Sequence, residues 1–169
     1  MKRREWVALS LGAAVAAAQA TARAQSQSPA PDAIDWPPLE LLGGGAIEPS
    51  DWEGQFSVLV LWATWCPFCK RHNAHVDKLY RATRGRPLRV LGVAEDRDPQ
   101  LVRRYMQANG YAFPVAVDTI GLQRRLTPRK SIPMTCIIDR QGRLVQAIAG
   151  EMFEEDVLAL AKLADRAGT

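Results

Sequence analysis

A seven-residue apolar run, Phe56 to Trp62, leads through Ala63-Thr64-Trp65 into Cys66-Pro67-Phe68-Cys69, and helical spacing begins at Pro67. A short run of this composition reads as a strand buried on both faces, and the 3.6-residue period that follows reads as a helix. The two cysteines therefore sit where a strand hands over to a helix. That junction fixes more about the chain than any other segment, because it sets a βα unit with two thiols at its mouth.

The remaining segments extend the unit. Leu39 to Ile47, broken by Gly43-Gly44-Gly45, reads as a short hairpin, and 49–54 as a turn with one helical turn. A helix is predicted from Pro67 to about Thr83 and a strand at Leu88 to Ala94. Asp98 is a candidate N-cap with Pro99 at the first helical position and Gly110 closing the helix after Asn109. A strand at Phe113 to Val117, a short helix at Leu122 to Leu126 and a strand at Met134 to Asp139 follow. Arg140-Gln141-Gly142 turns the chain into Leu144 to Ala149, and Phe153 to Ala164 reads as an amphipathic helix. This alternation, ending in a hairpin and helix, predicts an α/β domain with a mixed central sheet and helices on both faces.

At the junction, Cys66 is expected as the N-cap with Pro67 at the first helical position. Cβ atoms three residues apart on a helix lie roughly 5–6 Å apart, close to disulfide reach. The dipole and free N–H groups of the first turn stabilise a thiolate at Cys66, while Cys69 lies one turn deeper. From the residues, three uses remain open. They are thiol–disulfide exchange, a structural disulfide closing a very small loop, and half of a zinc site.

The N-terminus constrains location. Lys2, Arg3 and Arg4 form a basic head, Val7 to Ala18 is uncharged, and Ala22-Arg23-Ala24 offers small residues at the positions a signal peptidase reads, with Ala18-Gln19-Ala20 as a second option. This is a secretory pattern, assigned to residues 1–24, and the run is shorter than the roughly 20 residues a bilayer span needs. Arg3-Arg4 also loosely fits a twin-arginine signal, and an uncleaved anchor is the alternative to cleavage. Residues 25–38, rich in Ser, Gln, Pro and Ala, read as a flexible linker, and 39–169 as the folded domain. Cleavage removes four basic residues and only Glu5, so the net charge of +4 falls to +1. The basicity belongs to the targeting segment and is no argument for nucleic acid.

Three motifs in order, Leu61-Trp62-Ala63-Thr64-Trp65-Cys66-Pro67-Phe68-Cys69, Ser131-Ile132-Pro133-Met134-Thr135 and Ile137-Ile138-Asp139-Arg140-Gln141-Gly142, resemble the thioredoxin superfamily. Among its members the chain is similar to the exported TlpA/ResA/CcmG (DsbE)-type disulfide reductases, over roughly Leu39 to Ala164. The resemblance implies a thioredoxin-like fold with an N-terminal β-hairpin and a central βα insertion around Asp96 to Asp118. It implies a cis Ile132–Pro133 bond beside the dithiol, with the Ile132 backbone pairing with a substrate strand. It further implies Cys66 as nucleophile, Cys69 as resolving thiol, no cofactor or metal, and a monomer in the periplasm. The partners it implies are disulfide-containing exported proteins and a membrane electron donor of the DsbD/CcdA type.

The sequence departs from that family at three positions. His72 stands where these reductases often carry Glu, Met134 where Thr or Glu is usual, and Cys136 where an aromatic or aliphatic residue is common. With Cys69 as zero at 100° per residue, His72 falls at about −60°, inside the core-facing stripe, and His75 at about −120°, on its edge. His72 is therefore a candidate general base for Cys69, weighed against a core histidine bonded to backbone. Cys136 is expected to be a buried inert thiol. Arg124, Arg125, Arg129 and Lys130 form a basic run before the proline loop, expected at the solvated surface. Glu95 and Asp96 end a strand on the dithiol side. Trp65, Pro67, Phe68, Ile132 and Pro133 are the candidate docking residues, and Trp62 a candidate core residue.

The reading is a periplasmic thiol–disulfide oxidoreductase that reduces exported proteins. The alternatives are a copper-handling module using Cys66, Cys69 and a histidine, a disulfide-forming oxidase suggested by Pro67, and a peroxide-reducing enzyme.

Overall fold

The computed structural model describes residues 34–168, residue 129 excepted. The segments read as a signal (1–24) and most of the linker (25–33) lie outside the described residues. A two-stranded hairpin, β1 (Leu39–Glu40) and β2 (Ala46–Ile47), precedes a five-stranded sheet. The sheet consists of β3 (Phe56–Trp62), β4 (Leu88–Ala94), β5 (Val115–Val117), β6 (Met134–Ile138) and β7 (Leu144–Ala149), in the order β5-β4-β3-β6-β7. β3, β4 and β5 run parallel, while β6 pairs antiparallel with β3 and β7 antiparallel with β6. The fold is thioredoxin-like, with the expected mixed sheet and helices on both faces.

Helices α1 (Pro67–Ala82), α2 (Pro99–Asn109) and α4 (Glu154–Ala159) cover one face, where Val76, Leu79, Val102 and Val157 pack on Val58, Val60 and Trp62. The short α3 (Leu122–Leu126) and the N-terminal segment cover the other, packing on Leu59, Leu61, Leu91 and Val93. β3 alternates between these two cores, which is why its run is apolar throughout. The terminal helix tightens after α4 into a 3-10 helix over Leu160–Gly168.

Local chemistry explains the boundaries. The Asp98 side chain accepts from the Gln100 N–H at 2.8 Å, and Gly110 ends α2 at φ +66°, a conformation costly for a side chain. Of the segment read as linker, residues 34–38 are docked on the domain. The Trp36 indole N–H donates to the Gly142 carbonyl at 2.7 Å, and its ring stacks on Trp52 at 3.9 Å between centroids. A stacked aromatic pair adds about 0.5–1.5 kcal/mol beyond the area it buries.

Candidate active site

Cys66 caps α1 with extended backbone (φ −89°, ψ 114°), and Pro67 occupies the first helical turn, where a missing N–H has no intrahelical partner to lose. The Cys66 sulfur accepts the Cys69 N–H at 3.2 Å, so the helix N-terminus faces this thiol. The loop before it is pinned from β4. Asp96, itself buried, accepts the Thr64 N–H at 2.9 Å on Oδ2 and the Thr64 hydroxyl at 2.5 Å on Oδ1. Such a charge-assisted pair fixes the turn that carries Trp65 and Cys66.

Across the mouth, Ile132–Pro133 is cis. The Ile132 carbonyl lies 3.9 Å from the Cys66 sulfur, and the Gly150 N–H holds the Pro133 carbonyl at 2.8 Å. Trp65 is 69% exposed and Phe68 55%, while Trp62 is fully buried beneath them. Pro67 is exposed, Ile132 half-buried and Pro133 buried. The structure thus brings all the sequence-named dithiol and docking residues to one end of the sheet. Phe153, before α4, is also exposed at 76%. Its signal in the sequence is an aromatic residue placed just before an acidic first helical turn.

The two thiols are unlike. Cys69 is fully enclosed, and its thiol is pushed well above the usual range, chiefly by burial and then by its hydrogen bond with Cys66. The Ala63 amide opposes that shift by donating to the Cys69 sulfur, and the nearby Glu95 carboxylate adds to it. Cys136 is also fully buried, its thiol pushed up to about 12 by burial, as an inert core thiol should be.

Of the two readings of His72, a general base for Cys69 and a core histidine, its contacts favour the second. Its ring is buried with both nitrogens engaged. The Met152 N–H donates to Nδ1 at 3.3 Å, which places the proton on Nε2, 3.0 Å from the Thr135 hydroxyl oxygen. Burial, assisted by His75, pushes this imidazole down to about 4. A ring with no free lone pair and so low an affinity for protons is a core fastener. His75 lies toward the surface, its Nδ1 3.5 Å from Glu154. Arg124, Arg125 and Lys130 are exposed, as expected, and Arg129 lies outside the described residues.

The residues that sequence reasoning passed over are Asn73 and Tyr105. The wheel gave little sign of Asn73, because at about 40° from Cys69 it lies beyond the apolar stripe, on the far side from His75, and only the packing shows it buried.

Residues 28–147 match the AhpC/TSA family. The thiol-disulfide oxidoreductase ResA of Halalkalibacterium halodurans is 29% identical over 119 residues, covering 70% of this chain and 68% of the relative. A secreted thiol-disulfide isomerase from Corynebacterium glutamicum superposes with a TM-score of 0.69 at 25% identity, over 78% of this chain and 85% of that one. StoA from Bacillus subtilis shares the fold at a TM-score of 0.62 and 22% identity, over 72% of this chain and 92% of its own.

Proposed function

The chain belongs to the AhpC/TSA family and is a thiol–disulfide oxidoreductase of the ResA type, and we propose that it reduces the disulfides of exported proteins through Cys66 and Cys69. The observation that carries this reading is the inequality of the two thiols. Cys66, 5% exposed, caps the helix, accepts the Cys69 N–H and stands beside the Ile132 carbonyl and the exposed Trp65 and Phe68, so it is the thiol placed to meet a substrate. Cys69 is enclosed and held protonated until a mixed disulfide forms beside it. Cys66 attacks the substrate disulfide and one substrate sulfur departs. Cys69 then attacks Cys66, the second substrate sulfur leaves, and the enzyme is left oxidised.

The direction, giving electrons to the substrate, is assigned from the resemblance of the three motifs to exported reductases, and the reduction potential decides it. Trp65 and Phe68 supply an apolar rim, and the Ile132 backbone a strand-like edge for an extended substrate. Export rests on the basic head and uncharged run at the N-terminus, and is supported by the secreted relative from Corynebacterium glutamicum. No helix among the described residues is long and apolar enough to cross a membrane. Re-reduction is assigned to a membrane dithiol carrier. Copper handling needs a histidine beside the pair, and the ring of His72 is already fully engaged.

Two measurements test the proposal. The Cys69→Ser variant, expressed with its own signal, should accumulate mixed disulfides on Cys66 that reductant releases. Trapping by Cys66→Ser instead would reverse the assigned roles. A reduction potential near about −270 mV fits a reductant, and one near about −120 mV would make the protein an oxidant.

A further inference from the structure

Around Cys69, where one flank of α1 turns toward the segment that follows α2, three polar side chains lack partners, Asn73 on α1 itself, Tyr105 on α2 and Trp62 on β3. Asn73 is fully buried with neither amide atom bonded, and the Tyr105 hydroxyl and the Trp62 indole N–H are likewise enclosed and unpaired. Two bonds show which way this flank faces. The Tyr111 hydroxyl donates to the Lys70 carbonyl at 3.1 Å, and the Ala112 N–H to Asp77 Oδ1 at 2.6 Å. Lys70 and Asp77 lie at about 100° and 80° from Cys69 on the wheel, so Asn73 at about 40° lies between them and the dithiol. The Tyr105 ring stands 5.2 Å from Trp62 and 6.3 Å from Tyr111, between the two. It packs on the core cluster that contains both cysteines.

Buried polar groups are almost always satisfied, and orphans in a polar gap are the usual place for an ordered internal water. We propose that Tyr105 and Asn73 are further residues of this site, holding between them an internal water that hydrogen-bonds to the Cys69 sulfur as it becomes a thiolate. The proposal rests on Cys69 being the resolving thiol. As Cys69 attacks, its bond to Cys66 forms and the Cys66–substrate bond breaks. The departing sulfur keeps the electron pair and ends with the proton that Cys69 gave up. Tyr105 keeps its own proton throughout. Burial, then Tyr111 and the two cysteines, pushes its phenol up to about 12, so it remains a donor at any working pH.

The charged and titratable groups facing Cys69 are Cys66 on its own helix turn and Glu95 from the end of β4. Asp96, bound to Thr64, and Tyr111 face Tyr105, and His72 occupies the opposite flank. Neither Tyr105 nor Asn73 is an acid or base in this scheme. They position a water and act through it, as preorganised donors aimed at developing charge.

The test follows the two thiolate releases when the reduced full-length protein meets an aromatic disulfide such as dithiobis(nitrobenzoate). The first release reports attack by Cys66 and the second resolution by Cys69. Tyr105→Phe should slow the second release roughly tenfold, as expected for losing a hydrogen bond to a charged group, and move its pH midpoint upward. Asn73→Leu should act in the same direction, and the first release should keep its rate in both. Wild-type rate and midpoint for the second release in both variants would overturn the proposal. So would a rise in the urea midpoint of Asn73→Leu, because a dry orphan amide is stabilised by an apolar replacement. Cys69→Ser should show no second release. If it did, the resolving role itself would fail, whatever Tyr105 does.

Discussion

The two flanks of α1 handle buried polarity in opposite ways. Toward β6 and β7, the His72 ring joins Thr135 on one side and the Met152 backbone on the other. On the other flank, Asn73, Tyr105 and Trp62 have no protein partner within the cluster that holds both thiols, and the first two leave their hydrogen bonds to the proposed water. A saturated network is fixed and contributes stability. An unsaturated one beside a reacting sulfur can answer a change of charge. The histidine draws attention by its chemistry, yet the asparagine and tyrosine have the freedom to act.

Lowering the pH attacks the saturated flank hardest. Folded His72 titrates near about 4, below its unfolded value near 6.5. Its stabilisation is therefore complete above pH about 6.5 and is lost as the pH falls toward about 4, because the unfolded chain binds the extra proton. Roughly 3 kcal/mol should disappear across that window. Urea unfolding at several pH values should show it, and His72→Phe should flatten the curve. A wild-type curve as flat as that of the variant would break the contrast between flanks.

Thr135→Val should be milder. It removes the oxygen that accepts from His72 Nε2 and leaves a buried N–H unpaired, at a cost of about 1–3 kcal/mol in the urea midpoint. Turnover per folded molecule should stay near wild type. Loss of turnover without loss of stability would move His72 back into the chemistry. Smallest of all is the surface pair on this flank, where Arg71 makes two bonds to Glu151 at 2.7 and 2.6 Å. Exposed ion pairs contribute little, and Arg71→Ala should leave the unfolding midpoint unchanged within error.

Much of this was legible in the sequence. Where the determinants are local, the expected boundaries match, as for β3, β4, α3 and β7, and for the Asp98 and Gly110 caps of α2. The N-cap role of Cys66 follows from a proline at the next position, and the structure places it there. The partners of His72 were not legible. They come from residues 63 and 80 positions away, so a wheel could show the ring pointing inward but not what met it. Trp36 was lost for a related reason. A Pro-, Ser- and Ala-rich context reads as linker, while the indole is held by Gly142, 106 residues further on. Tyr105 sits on the apolar face of a helix, and its significance depends on how that helix packs.

The N-terminal hairpin has a consequence for coexistence with unfolded chains. Leu41 bridges to Ala116, and the Leu42 N–H donates to the Val115 carbonyl at 2.8 Å, so the hairpin occupies the open side of β5. An uncovered strand there would be a template for any extended polypeptide that drifted past. If the substrates are extended exported chains, as proposed, covering β5 leaves them one edge fewer to join away from the proline loop.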